Sequence, residues 1–250
     1  TVYEAESKLG GMLRYGFPEF KIPKAVLDYE INTLLQLVIN VEAGEKWGVD
    51  YTLQDLKDKG FDAILLAIGN PEDKPLEIPG ESLPGVMGAS EFLKKITTGE
   101  DVDYGKRAAV LGGNNIAVES ARALIRSGVD EVTIIYPRPK EEMPAHQRNI
   151  EDAEHEGVKF LDMATPLEID AKDSGLDIEL VRMELGEPYK RGKRNPVEIP
   201  GSNMHLHVDT AIYSMGKVAA KDGFTGGSLE ESLELSPAGN INANPRTFLT

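Results

Sequence analysis

The chain has 250 residues, with 27 Lys and Arg against 42 Asp and Glu for a formal charge of −15, and it contains no cysteine. That charge disfavours a nucleic-acid backbone or an anionic membrane as main partner, because both are polyanions. Without cysteine, disulfides, thiolate-bound zinc, iron–sulfur clusters and thiol redox chemistry are excluded within these residues.

In chain order, residues 1–5 read as a short strand ending in an acid, Glu4. Gly10, Gly11 and Gly16 with Pro18 and Pro23 predict a loop rather than an element. Apolar residues at helical spacing predict a helix over 25–37, followed by a short strand over 38–41. Thr52 is placed to cap a helix over 52–59, with Asp55 at its third position. The apolar run 61–68, stopped by Gly69, predicts a buried strand covered on both faces.

Prolines 71, 75, 79 and 84 with glycines 80, 85 and 88 give residues 70–88 the composition of a linker, and 89–96 a short helix. A strand–turn–helix unit follows: strand 107–111, turn 112–117, helix 117–127, closed by Gly128. Strand 131–136, an acidic helix over 145–156 ending at Gly157, and strand 158–162 come next. The segments 167–171, 176–184 and 205–213 predict an antiparallel meander whose last strand runs to Gly216. Beyond 221 the chain is polar, with Leu229, Leu233 and Leu235 as its regular apolar signal. No apolar run approaches the ~20 residues that span a bilayer, no signal peptide opens the sequence, and a cytoplasmic location is expected.

The strongest local signal is Gly112-Gly113-Asn114-Asn115-Ile116-Ala117. A glycine turn between strand and helix lets backbone approach a pyrophosphate, which the helix N-terminus then holds. Gly112 and Ala117 fit the ends of Gly-x-Gly-x-x-Gly/Ala, whereas Asn114 takes the middle position, so an ordinary tight turn is the competing reading. The following strand ends in Tyr136-Pro137-Arg138-Pro139-Lys140, with cations where an NAD site places an acid. Arg138 and Lys140 suit a 2′-phosphate and hence NADP; a solvated basic loop is the alternative. Arg122 adds a third charge or faces solvent.

Glu4 at a strand end, followed by Gly10 and Gly11, repeats the acid pattern that a flavin-type domain uses to hold the adenosine ribose, without a glycine turn before it. His205 and His207 share one face of a strand and read as a surface pair, His146 and His155 are too far apart to chelate, and Lys190 to Arg194 read as a solvated hairpin tip. No hydrolytic arrangement stands out. Neither a metal ligand nor a catalytic side chain is assigned.

Three strings in order resemble the glutamate synthase small-subunit family: Gly10-Gly11-Met12-Leu13-Arg14-Tyr15-Gly16-Phe17-Pro18-Glu19-Phe20, Tyr136 to Ala145 with Glu141-Glu142-Met143-Pro144, and Arg182-Met183-Glu184-Leu185-Gly186-Glu187-Pro188 with Ile199 to Ser202. The resemblance implies an FAD-dependent NAD(P)H oxidoreductase of the two-dinucleotide-domain type, passing electrons from NAD(P)H to flavin and on through iron–sulfur clusters to a partner subunit. It implies NADP or NAD at Gly112 to Ala117, Arg122, Arg138, Lys140 and Gly216, and FAD at Glu4, Gly10, Gly11 and Gly16. The family's third turn glycine is Asn114 here, one of its paired arginines is Pro137, and its late Ala-Ile-Gly-Gln is Ser214-Met215-Gly216-Lys217.

The expected architecture is α/β. A Rossmann-like three-layer parallel-sheet NAD(P) domain with an antiparallel meander occupies 105–218. A partial FAD domain occupies 1–88 and 219–250, with a linker helix over 89–104. Lacking the first flavin turn, these 250 residues alone are expected to hold FAD weakly or not at all. The competing function is a non-catalytic nucleotide-binding or subunit-docking module, favoured by Asn114 and Pro137.

Overall fold

A computed structural model describes residues 1–172, 175–188, 194–219, 233–237, 239–247 and 249–250. Leu229 and the tip residues 190–193 lie outside the described residues. The chain forms two compact units, 1–72 with 217–250 and 73–216.

In the first unit β1 (Val2–Glu4) pairs in parallel with β2 (Val41–Ala43). Between them lie α1 (Gly11–Tyr15), inside the stretch expected to be a loop, and α2 (Lys24–Leu35). Helix α1 forms because Arg14, nearly buried, ties it to Asp28 of α2. The expected strand 38–41 is displaced onto β2, since Val38 takes a left-handed φ of 61° and is 92% exposed. Helix α3 (Leu53–Asp58) carries the expected cap: Asp55 N–H donates to Thr52 Oγ1 (3.2 Å) and Thr52 N–H to Asp55 Oδ2 (2.8 Å). The Thr52 hydroxyl, donating to Asp55 Oδ2 (2.7 Å), and that Thr52 N–H hold the Asp55 carboxyl below its ordinary pKa.

The run 61–68 is not a strand. It joins no ladder with any described strand, and Leu65 is 89% exposed. A fully apolar run becomes a buried strand only with pairing edges on both sides and layers on both faces. Among the described residues of this unit the run has neither.

The chain passes between units near β3 (Glu72–Asp73) and β13 (Lys217–Val218). The second unit is built on five parallel strands in the order β4 (Val86–Gly88), β12 (Thr210–Tyr213), β5 (Arg107–Leu111), β6 (Glu131–Tyr136), β7 (Lys159–Asp162). Helices α4 (Ala89–Thr98), α5 (Asn115–Arg126) and α6 (Gln147–His155) connect them, with a 3₁₀ turn at Lys140–Glu142. The compact units divide at 72/73 and 216/217, so the Pro/Gly-rich stretch expected to be a linker contains a sheet strand. Helix α4 belongs to this unit too: Phe92 and Leu93 are fully buried, and Asp73 accepts from Ser90 N–H (2.7 Å) and Ser90 Oγ–H (3.0 Å).

The antiparallel layer consists of β8 (Ala164–Lys172), the long β9 (Gly175–Pro188), β10 (Arg194–Glu198) and β11 (Met204–Val208). β9 pairs with β8 and β11 through its first half and with β10 through its second. Alternation sorts the parallel strands' side chains between two faces. Ala109, Leu111, Ile135 and Ala211 pack with Ile169, Leu176, Ile178 and Leu180 of the antiparallel layer, one strand face away from Ala108, Val110 and Ile134.

The stretch 205–213, expected as one strand, is two strands in two sheets. The break is at Asp209, whose Oδ2 accepts the N–H groups of Lys106 (2.7 Å) and Arg107 (2.8 Å) at the start of β5. Burial alone would raise its carboxyl, but those N–H groups and the Arg107 charge hold it below its ordinary pKa.

Candidate functional site

β5 lies inside the parallel sheet with β6 and β7 to one side and β12 to the other, so the chain's direction of travel reverses there. Such a reversal opens a crevice at the carboxyl ends of the strands. Gly112 follows β5 with φ 142°, and a Cβ there would lie 2.5 Å from the Ser214 carbonyl oxygen. Only glycine fits both limits. At Gly113 a Cβ would lie 2.5 Å from the Tyr136 ring.

Asn114 is the N-cap of α5, its Oδ1 accepting from Ala117 N–H (2.9 Å). The same Oδ1 accepts from Ser214 Oγ–H (2.9 Å), and Asn114 Nδ2 donates to the Ser214 carbonyl (3.0 Å). Its side chain is therefore bonded to the end of β12. A helix's first N–H groups have no partner within it, so those of Asn115 and Ile116 remain to meet an anion.

The Asn115 side chain joins α5 to the following loop: its Oδ1 accepts from His146 N–H (2.9 Å) and Asn149 Nδ2 (3.1 Å). Ala145 N–H donates to the Gly113 carbonyl (3.1 Å). The far end of the loop after β6 is thus fastened to the glycine turn, and because β5 and β6 run parallel, Arg138 and Lys140 lie at the same end of the sheet.

Both cations already have carboxylate partners. Arg138 Nη1 donates to Glu142 Oε2 (2.9 Å) and to the Arg194 carbonyl at the start of β10 (2.9 Å). Lys140 is bonded to Glu154 and sits 5.5 Å over the Phe160 ring. The Glu154 bond keeps its ammonium above the ordinary lysine pKa. Arg138 therefore turns toward the antiparallel ribbon and Lys140 toward α6 and β7.

Arg122 is corrected: it is not part of the crevice and does not face solvent. Its side chain is 7% exposed, and its guanidinium meets Glu156 through Nε (3.1 Å) and Nη2 (2.7 Å) and Asp152 through Nη1 (3.2 Å). Arg126 also binds Glu156 (2.6 Å), and these bonds hold the Glu156 carboxyl down at about 2. Arg122 locks α5 to the end of α6. Gly216, with φ 113°, follows β12 and accepts from Lys74 N–H (3.0 Å).

The remaining residues sit in the first unit. Glu4 ends β1, and its Oε1 accepts from Glu6 N–H (2.9 Å). Gly10 and Gly11, with φ of 124° and 45°, start α1, and Gly16 closes it by donating to the Met12 carbonyl (2.9 Å). A cleft of about 290 Å³ in this unit is lined by residues 66–70, Ala219, Gly239, Asn240 and Ile241, and not by Glu4 or the three glycines. His205 and His207 both face the nearly buried Asp177 (3.1 and 2.9 Å), and among the described residues no His, Asp and Glu group has the geometry to hold a metal.

The sequence assigns no site role to Ser214 or Glu142 and reads Arg194 as part of a solvated hairpin tip. Glu142 was discoverable as the carboxylate four residues after Arg138. Ser214 and Arg194 reach the site only through tertiary pairing. The assembled crevice presents a tight glycine turn, a capped helix N-terminus and guanidinium nearby, which suits a phosphorylated, extended ligand.

Residues 8–247 match the family model described as pyridine nucleotide-disulphide oxidoreductase. The chain is 33% identical over its whole length to the NADP(+)-dependent formate dehydrogenase subunit beta of Moorella thermoacetica, of which it covers 35%. It is 31% identical over 86% of its length to the glutamate synthase [NADPH] small chain of Halomonas elongata, of which it covers 48%. The chain thus spans half or less of these relatives. FprA from Mycobacterium tuberculosis, solved in complex with NADPH, shares the fold with a TM-score of 0.74 at 18% identity, over 97% of this chain and 69% of that one. With its parallel sheet, glycine turn and nearly full-length match, the chain belongs to the pyridine nucleotide-disulphide oxidoreductase family.

Proposed function

We propose that this chain supplies the pyridine-nucleotide site, and part of the flavin site, of an NAD(P)H-dependent oxidoreductase. The observation that carries the reading is the turn at Gly112, which only glycine can pack against the Ser214 carbonyl and which leads directly into the N-terminus of α5. The turn fits a dinucleotide: Gly112 and Gly113 let it pack tightly against Ser214 and Tyr136, and the N-terminus of α5 offers the N–H groups of Asn115 and Ile116 to the pyrophosphate. Arg138 and Lys140 are the cations for a 2′-phosphate, which favours NADP over NAD. Gly216, two residues past Ser214, leaves open space where a Cβ would stand.

In the other unit, Glu4 offers a carboxylate to a flavin's ribose, with Gly10, Gly11 and Gly16 in the segment after it. The bound nicotinamide supplies hydride to flavin, so the protein's contribution is placement rather than acid–base catalysis. Electrons then pass to an iron–sulfur acceptor or a large subunit, in the cytoplasm. No described helix is long and apolar enough to cross a membrane.

The docking-module reading drew on Asn114. Its side chain is bonded to Ser214 rather than projecting across the turn, which supports the nucleotide reading. The test uses the natural protein that carries this sequence: flavin content, and oxidation of NADPH or NADH with an artificial acceptor. Flavin with turnover supports the enzyme; neither flavin nor turnover supports the module.

A further inference from the structure

The loop after β6 carries Pro137 where a second cation would stand, leaving Arg138 as the guanidinium at the strand end. A phosphomonoester dianion is held well by two guanidinium groups, each offering parallel N–H donors. Arg138 is also bonded to Glu142 (2.9 Å) and Lys140 to Glu154, and cations already paired with carboxylates are a poor site for a dianion. The structure brings up a second guanidinium. Arg138 Nη1 donates to the carbonyl of Arg194 (2.9 Å), which fixes the first residue of β10 against the guanidinium. The position is held from behind by the pairing of Arg194 with Pro188, next to a register shift before Pro196. Arg194 is exposed, and its own guanidinium has no ion-pair partner among the described residues.

Resting on the nucleotide reading above, we propose that Arg194 is the second guanidinium of the 2′-phosphate site, joining Arg138 and Lys140. It reaches the phosphate from the antiparallel ribbon and takes the place that Pro137 leaves empty. Arg138 and Arg194 then flank the phosphate, and Glu142 gives up its bond to Arg138 when the ligand binds. A residue 56 positions away in sequence thereby sets the preference for a 2′-phosphorylated nucleotide.

The test is calorimetric titration of the whole chain with 5′-AMP and with adenosine 2′,5′-bisphosphate, which differ only in the 2′-phosphate. The wild type is expected to favour the bisphosphate about tenfold or more. Arg194→Ala should lower that ratio about tenfold while leaving 5′-AMP affinity and the melting temperature unchanged, and Arg194→Lys should restore part of it. An unchanged ratio in Arg194→Ala, with a fall in Arg138→Ala, would overturn the role of Arg194. A wild type that binds both ligands equally overturns it as well, but leaves the crevice as a nucleotide site. If neither ligand binds, the underlying nucleotide reading fails with it.

Discussion

Asn114 and Ser214, one hundred residues apart, are joined by two hydrogen bonds: Ser214 Oγ–H donates to Asn114 Oδ1 at 2.9 Å, and Asn114 Nδ2 donates to the Ser214 carbonyl at 3.0 Å. Because Asn114 Oδ1 also caps α5, one side chain fixes the helix start and the end of β12. Asn114→Ala removes a cap and two partly buried bonds, and about 1–3 kcal/mol of stability should be lost. Chemical denaturation of wild type and variant measures this. Ser214→Ala, which leaves the cap, should cost less.

Gly112→Ala meets two obstacles together, a φ of 142° and a backbone oxygen 2.5 Å from the new Cβ. The expected loss is roughly 2–4 kcal/mol. Gly128, also at positive φ but with open space around it, should tolerate alanine better, by about 1 kcal/mol of cost. A thermal-melting comparison of the two variants checks the ordering.

Arg122, Arg126, Asp152 and Glu156 tie α5 to α6, and the Glu156 carboxyl lies at about 2 against an ordinary 4.5. A depressed carboxyl contributes stability that is complete above its unfolded pKa and disappears as pH falls through the folded one. Between pH 4.5 and about 2 the second unit should therefore lose on the order of 2–3 kcal/mol through this group. Urea unfolding at stepped pH should show the loss in wild type, and Glu156→Gln should be less stable at pH 7 with a flatter acid limb. Equal acid slopes would show that the pair contributes nothing.

Glu142 competes with a phosphate for Arg138. Glu142→Gln removes the competing charge, and affinity for adenosine 2′,5′-bisphosphate should rise about three- to tenfold, with 5′-AMP unchanged. Calorimetry at constant ionic strength measures both.

Local chemistry made much of this molecule legible from its residues. The Thr52–Asp55 capping box, strand β5 and the glycine turn before α5 are set by residues adjacent in sequence, and all three stand where local rules put them. Features set by distant partners were not legible. Asp209 splits one apparent strand because it finds the N–H groups of Lys106 and Arg107, over a hundred residues upstream. The 61–68 run has the composition of a buried strand but no edge to pair with. Helical position alone did not decide which way Arg122 faces, although Arg122 and Arg126 opposite Asp152 and Glu156, each pair four residues apart, form a matching charge pattern. The tight turn at Gly112 was readable, whereas the capping role of Asn114 was not, and the Arg194 carbonyl meets Arg138 only because β10 folds back beside it.

The central claim is that the N-terminus of α5, after the glycine turn at Gly112, holds a pyridine nucleotide, and calorimetric titration of NADPH into this chain tests it most directly. The account predicts saturable binding of one nucleotide per chain, weakened about tenfold or more by Asn114→Asp, which places a carboxylate at the N-terminus of α5 where the pyrophosphate binds. No heat of binding at millimolar NADPH or NADH, or binding that Asn114→Asp leaves untouched, would contradict it.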